Sequence, residues 1–230
     1  IPTNLTAEQI LVRSGNIGSV KIGQKLGEEK FKSFLSKIDV LEETNFDINE
    51  IGTPIKFNWG KCPLATASFG HGITTTLLQL AKAYSIIVNG GYDIDPKLIN
   101  TVPKAKKEKI LNEGVSKKIL PILRKIVTTK EGTASLANVN GYEIGGKTGT
   151  AQKSIAGVYS NKKINSFMSI FPTSKPKFVL AVMLDEPKTN EDYIYHYRDG
   201  SNIKYKGTPY NTAGWTTVEV TGQILEKIGP

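Results

Sequence analysis

Gly145-Gly146-Lys147-Thr148-Gly149-Thr150-Ala151 is the stretch that decides the fold. It lies within Tyr142 to Gln152, which reads as a β-strand, and it sets an ammonium, a hydroxyl and glycine-flanked backbone within three residues. That set suits an anion. Lys147 and Thr148 can hold a carboxylate, a glycine lets a substrate lie against the strand, and the Thr150 N–H can donate to a developing oxyanion. The competing reading is a phosphate loop, because Gly141 to Thr148 fits G-x-x-x-x-G-K-[ST]. Such a loop needs a buried strand before it and a helix after it. Leu136 to Asn140 is a poor strand and Gly149 to Lys153 has no apolar stripe, so nucleotide hydrolysis is set aside.

Downstream, Asn165 to Phe171 and Lys177 to Asp185 read as two more strands, joined by Pro172-Thr173-Ser174-Lys175-Pro176 in a tight antiparallel connection. Ala213 to Ile228 returns to helical spacing. Residues 187 to 213 hold Tyr193, Tyr195, Tyr197, Tyr205 and Tyr210 among Asn, Lys, Asp and Gly, and read as a long loop, functional or disordered.

Upstream, Thr6 and Gln9 form a capping-box pattern that starts a helix near Ala7. Helices follow over Ile17 to Leu26, stopped by Gly27, and over Glu28 to Ile38. Residues 39 to 75 carry Thr53-Pro54, Cys62-Pro63 and Ser68-Phe69-Gly70-His71-Gly72, which is loop chemistry with little regular structure. From Thr76, Leu77, Leu80, Ala81, Tyr84 and Val88 form one apolar stripe, capped by Gly90-Gly91. Ser116 reads as the N-cap of a further helix with Ile119, Leu120, Ile122, Leu123, Ile126 and Val127 on its apolar side. Pro121 should delay or kink it, since an interior proline costs about 3 kcal/mol. The fold class is α+β, an antiparallel sheet with packed helices. Along the chain it divides into 1–75 (helices and an irregular site-bearing region), 76–131 (core helices with a basic segment) and 132–230 (the sheet, the tyrosine-rich loop and the last helix).

Composition removes several function classes. The chain has 230 residues and 39% hydrophobic residues, long enough for a sizeable core without staples. The lone Cys62 cannot close an intrachain disulfide. The longest apolar run, Phe178 to Leu184, falls far short of the roughly 20 residues of a spanning helix. The sequence opens at Ile1-Pro2 without an initiator Met or leader pattern, as expected of a processed or excised piece. Its 30 basic residues against 21 acidic ones comprise 27 Lys and three Arg. Much of the excess falls in 104 to 130, where Lys104, Lys106, Lys107, Lys109, Lys117, Lys118, Arg124, Lys125 and Lys130 face Glu108 and Glu113. Base and phosphate readers favour the arginine fork, so a lysine-dominated surface points away from nucleic acid and towards a solvated face. His71 and His196 have no second ligand at metal spacing, and Cys62 has no CxxC partner. No metal and no cofactor is called for.

Ser14-Gly15-Asn16 and Lys147-Thr148-Gly149, in that order, are two of the three signatures of penicillin-recognising serine enzymes. Their surroundings add Val12-Arg13-Ser14, Ser68 to Ile73, Leu78 to Ala81, Asn89-Gly90-Gly91, Glu131-Gly132-Thr133-Ala134, Met183 to Pro187 and Thr212 to Trp215. In sequence and order the chain resembles the C-terminal part of the transpeptidase domain of class B penicillin-binding proteins, of the cell-division, penicillin-binding protein 3 type. The resemblance spans nearly the whole chain except 187 to 213. It implies the transpeptidase and serine β-lactamase fold, incomplete at its N-terminal side. It implies that Ser14 relays a proton to the leaving group, Asn16 holds the acyl donor's backbone, Lys147 is the catalytic lysine, the Thr148 hydroxyl receives the donor carboxylate, Gly149 belongs to the substrate-binding strand and Thr150 supplies an oxyanion-hole N–H.

One part of the pattern departs. The family attacks with the serine of an S-x-x-K on a helix upstream of S-x-N. Thirteen residues precede Ser14, none a serine; Ser160 to Lys163, Ser174 to Lys177 and Ser201 to Lys204 match the spacing but fall after Lys147, in turns or loops. The expectation is a transpeptidase wall without its nucleophile in this chain. The partners so implied are peptidoglycan stem peptides, β-lactams and, for the parent protein, cell-division proteins, on the periplasmic side of the cytoplasmic membrane with an anchor outside this chain. The alternatives are a serine β-lactamase or D-Ala-D-Ala carboxypeptidase, separated by a deacylating base, and a non-catalytic basic module, separated by salt-released nucleic acid.

Overall fold

The computed structural model describes residues 4–48, 52–55, 58–99, 108–155, 158–207 and 210–228. Two compact units divide them: Ile1–Ile10 with Gly15–Ile119, and Leu11–Ser14 with Leu120–Pro230. Lys104, Lys106 and Lys107 of the basic segment lie outside the described residues.

The first unit carries helices α1 (Ala7–Val12, whose last two residues belong to the second unit), α2 (Asn16–Leu26), α3 (Glu28–Lys37), α4 (Lys61–Ala67) and α5 (Leu77–Val88), and the start of α6 (Glu113–Thr128). The Thr6 capping box forms as the spacing predicts, with the Thr6 N–H donating to Gln9 Oε1 at 2.9 Å and the Gln9 N–H to Thr6 Oγ1 at 3.2 Å. Within the segment read as irregular, α4 is an addition; its seven residues are too few for apolar periodicity to reveal.

The α5 stripe is shifted. Its most buried residues are Gln79, Lys82, Ala83, Ile86 and Val88, not the Leu77, Leu80, Ala81 and Tyr84 set. Polar groups take core positions there because each is paired. Lys82 Nζ lies 2.5 Å from Asp39 Oδ2, and Gln79 closes a second capping box with Thr76 while donating to the Glu42 carbonyl. Ala83 and Ile86 pack with Ile38 and Val40 as this unit's core. Ser116 is not an N-cap: α6 starts three residues earlier, and Ser116 is buried, accepting from the Gly90 N–H at 3.0 Å and donating to the Ile87 carbonyl at 2.5 Å. Nor does α6 start late at Pro121, which lies within the helix and faces solvent.

The second unit is built on a three-stranded antiparallel sheet in the order β1-β2-β3, with β1 Gly145–Ile155, β2 Val158–Phe171 and β3 Phe178–Asp185. Lys147 pairs with Met168 and Thr148 with Phe167, and a bulge interrupts β1 between Gln152 and Ser154. The proline-bounded segment joins β2 to β3 through a cis Phe171–Pro172 bond. Leu123, Ile126 and Val127 of α6, Leu136, Ile144, Phe167 and Ile170 of the sheet side, and Val218 and Leu225 of α7 (Thr217–Ile228) are all buried at 3% exposure or less. A 3₁₀ turn, Ala213–Trp215, leads into α7.

The tyrosine-rich stretch is ordered where described. It forms a hairpin of β4 (Ile194–His196) and β5 (Lys204–Lys206). Tyr195 and Tyr205 pack on Trp215, each at 5.1 Å between ring centres. Beside them the Arg198 guanidinium grips Glu219 of α7 with two bonds of 2.8 Å, both side chains 5% exposed.

That ion pair is the staple of the region. Glu219→Ala is expected to lower stability by about 1–3 kcal/mol, because it removes two charge-assisted bonds from a guanidinium that keeps Glu226 and the Leu136 and His196 carbonyls, while Arg198→Met with Glu219→Leu should lose less than Glu219→Ala alone. Urea midpoints of the single and double variants check this; a single-variant loss below about 1 kcal/mol would mean the pair is solvated.

Candidate active site

Lys147 extends from β1 and donates from Nζ to Ser14 Oγ at 2.7 Å and to its neighbour's carbonyl, Thr148 O, at 3.0 Å. Ser14 closes the turn after α1 with φ +56°, in the left-handed region that L-residues enter at a cost of about 1–2 kcal/mol. The next residue, Gly15, donates its N–H to the Ile10 carbonyl at 2.9 Å, so the chain reverses at the end of α1. Arg13, beside Ser14, is tied by Nη2 to Glu131 Oε1. The serine is thus held from its own backbone and from the side chain before it.

Burial pushes the Lys147 ammonium down to about 8 from the ordinary 10.5. With no carboxylate among its hydrogen-bond partners in the described residues, roughly a tenth of the amine is neutral at pH 7 against far less for an ordinary lysine, and it can both give and take a proton.

Thr148 follows on β1, half-buried, its Oγ1 2.7 Å from Thr133 Oγ1. Gly149 has a packing reason beyond substrate access: a Cβ there would stand 2.6 Å from Ser166 Oγ on β2. Gly146 is tighter still, with Met168 O at 2.4 Å from an added Cβ. Gly145 presses on α6, where a Cβ would come within 3.0 Å of Arg124 N, and Arg124 Nη1 donates to Ile144 O at 2.7 Å. Thr150 spends its hydroxyl on structure, accepting from the Ala213 N–H at 3.0 Å. In the sheet order β1 is an edge strand, so one side of its backbone has no strand partner among the described residues.

The structure therefore brings Ser14, Lys147 and Thr148 together, with Gly149 and Thr150 next along the same strand. Asn16 is the exposed first residue of α2, in the other compact unit. Lys147 and Thr148 lie inside a strand and not at a helix N-terminus, which removes the phosphate-loop reading. Ser160 to Lys163 runs along β2, correcting its placement in a turn, while Ser174 and Ser201 lie in loops; none stands on a helix with its lysine. His71 stacks against Phe69 at 5.2 Å, Cys62 is exposed, and no metal-holding cluster occurs among the described residues.

The profile of the penicillin binding protein transpeptidase domain matches residues 2–202. The chain belongs to this family. It is 26% identical over 238 residues to the "Probable peptidoglycan D,D-transpeptidase FtsI" of Caulobacter vibrioides, covering 98% of this chain and 38% of that protein. With Stage V sporulation protein D of Bacillus subtilis it shares 37% identity over 196 residues, covering 78% of this chain and 30% of the relative. The chain thus spans about a third of the length of these curated relatives. In structure it is similar to penicillin-binding protein 3 of Mycobacterium tuberculosis, solved with ampicillin, at a TM-score of 0.79 and 23% identity over 96% of this chain and 51% of that one. The α+β transpeptidase fold expected from the motifs is the fold observed.

Three residues of the site escaped the sequence reading: Arg13, Glu131 and Thr133. All stand inside strings that carried the resemblance, yet nothing in their spacing tells that residues 118 positions apart form an ion pair.

Lys147 is expected to react with acetic anhydride with a midpoint near pH 8, well below the ordinary 10.5. Its folded pKa lies below the unfolded one, so between about 8 and 10.5 the unfolded chain binds more protons and stability rises with pH. Lys147→Met should flatten that rise in urea midpoints; an unchanged slope would show that Lys147 is not desolvated.

Proposed function

We propose that this chain supplies the proton-relay and carboxylate-binding walls of a peptidoglycan D,D-transpeptidase site. The observation that carries the reading is the Lys147 Nζ to Ser14 Oγ contact of 2.7 Å, made by an amine that burial has brought down to about 8. A hydroxyl bonded to such an amine can pass a proton in either direction, which acyl transfer to an amine requires at both of its halves.

A stem peptide ending in D-Ala-D-Ala lies along the open edge of β1. Its terminal carboxylate takes the Thr148 hydroxyl beside the Lys147 charge, and the Thr150 N–H faces the scissile carbonyl oxygen. A serine hydroxyl adds to that carbonyl; a C–O bond forms, the C–N bond breaks, and the serine's proton leaves with D-Ala through Ser14. The amine of a second stem then attacks the ester, its C–N bond forms as the C–O bond to the serine breaks, and the amine's surplus proton returns through Ser14 and Lys147 to the freed serine oxygen. A β-lactam mimics the donor and leaves an ester that does not turn over; the Mycobacterium tuberculosis relative solved with ampicillin supports this partner. Such a substrate places the site on the outer side of the cytoplasmic membrane, among cell-division proteins. No helix of the described residues is long and apolar enough to cross a membrane.

The attacking serine comes from outside these 230 residues. The three S-x-x-K pairs here lie on a strand or in loops, where a lysine three residues on cannot stack over the serine as it does after one helical turn.

Intact-mass spectrometry after incubation with a penicillin tests both statements. The full-length gene product is expected to gain one β-lactam mass that persists, and the 230-residue chain none. An adduct on the short chain would overturn the assignment of the nucleophile; no adduct on the full-length product would overturn the transpeptidase reading.

A further inference from the structure

Thr133 has no role in the mechanism above, yet its hydroxyl meets the one hydroxyl that the mechanism points at substrate, 2.7 Å from Thr148 Oγ1. A threonine hydroxyl has a single proton and accepts through its lone pairs. Only one of the two oxygens can donate along that line. If Thr148 donates to Thr133, it offers only lone pairs to an arriving carboxylate and repels it. If Thr133 donates to Thr148, the Thr148 proton is left to turn outward, and the bond it accepts polarises it into a better donor.

The backbone around Thr133 is built to keep that hydroxyl in place. A Cβ on Gly132 would stand 2.1 Å from the Ile126 carbonyl oxygen, so this turn lies directly on the end of α6. Next in the chain, Ala134 is fully buried and donates its N–H to the same Ile126 oxygen at 3.1 Å. From the other side Gly214 of the 3₁₀ turn closes in, with the Thr133 carbonyl oxygen 2.8 Å from where its Cβ would be. Glu131, two residues before, holds Arg13 next to Ser14. One short turn thus reaches both the proton relay and the carboxylate pocket.

We propose that Thr133 is a positioning residue that donates its hydroxyl proton to Thr148 Oγ1 and so aims the Thr148 proton at the substrate carboxylate. This rests on the transpeptidase reading, and its test separates the two.

The full-length gene product and its Thr133→Val, Thr133→Ser, Thr148→Val and double Val variants are assayed for acylation by a fluorescent penicillin and by the methyl ester of that penicillin. Thr133→Val is expected to lower acylation efficiency with the free acid about 10-fold, the scale of one hydrogen bond to a charged group, and to leave the ester's efficiency unchanged. Thr133→Ser, which keeps the hydroxyl, should restore it to within about twofold. Adding Thr133→Val to Thr148→Val should cost nothing more, because the two act through one contact. If Thr133→Val melts below the assay temperature, Thr133→Ala carries the same comparison. Equal losses with acid and ester would mark Thr133 as merely structural, and wild-type efficiency in Thr133→Val, or additive losses with Thr148→Val, would overturn the proposal. An unmodified wild type with both compounds would overturn the transpeptidase reading itself.

Discussion

An ammonium partly withdrawn from water must find compensation, and Lys147 finds less than it loses: a serine hydroxyl and a carbonyl, with no carboxylate among the described residues. The result is an amine of depressed basicity held at a fixed place, and the surrounding architecture follows from the need to hold it. The strand that carries it must be locked, which the pairing of Lys147 with Met168 and the packing of Gly145 and Gly146 against α6 and β2 achieve. The strand must also remain open on one side, which its edge position secures. An exposed edge invites aberrant pairing. Here the bulge after Gln152 and the engagement of Thr150 by the Ala213 N–H limit the free length.

The serine opposite is held at a cost. Ser14 sits at positive φ, a conformation that persists only where neighbours over-determine it. The turn that ends α1 fixes its backbone and the Arg13–Glu131 pair fixes its flank. Glu131 belongs to the turn that also carries Thr133 to Thr148, so the two ends of the strand's polar face share one support. A rigid, small turn between α6 and the sheet suits that task better than a long side chain would, because little rotamer freedom has to be frozen.

The hairpin of β4 and β5 shows how a polar, tyrosine-rich stretch can be ordered without a large apolar core. Its rings share Trp215, and its one buried charge is matched by Glu219 on α7. The burial of Tyr193 and its bond to the same carboxylate raise its phenol to about 12, so the network stays intact across the physiological range. Trp215 belongs to the 3₁₀ turn whose Ala213 N–H reaches Thr150, which connects the hairpin to the site strand through covalent neighbours.

Local sequence determined much of this protein. Capping residues, glycine stops and apolar spacing located α1, α2, α3, α5, β1 and β3 within a few residues, and Lys147-Thr148-Gly149 with Ser14-Gly15-Asn16 marked the candidate site, since those signals act over a few positions of chain; β2 begins at Val158, seven residues before the apolar run from Asn165 that the sequence showed, because its first half is polar. Three kinds of feature were decided only in three dimensions. Polar residues filled core positions where distant partners paired them, as Asp39 does for Lys82 and Glu219 for Arg198, and apolar patterning cannot see such pairs. Ser116, with the side chain of an N-cap, bonds instead across to Gly90 and Ile87, groups 26 and 29 positions away. Arg13, Glu131 and Thr133 joined the site because packing of the Gly132 turn on α6 set them beside Ser14 and Thr148. Contacts between residues more than a hundred positions apart depend on how whole elements stack, and no short window of sequence contains that information.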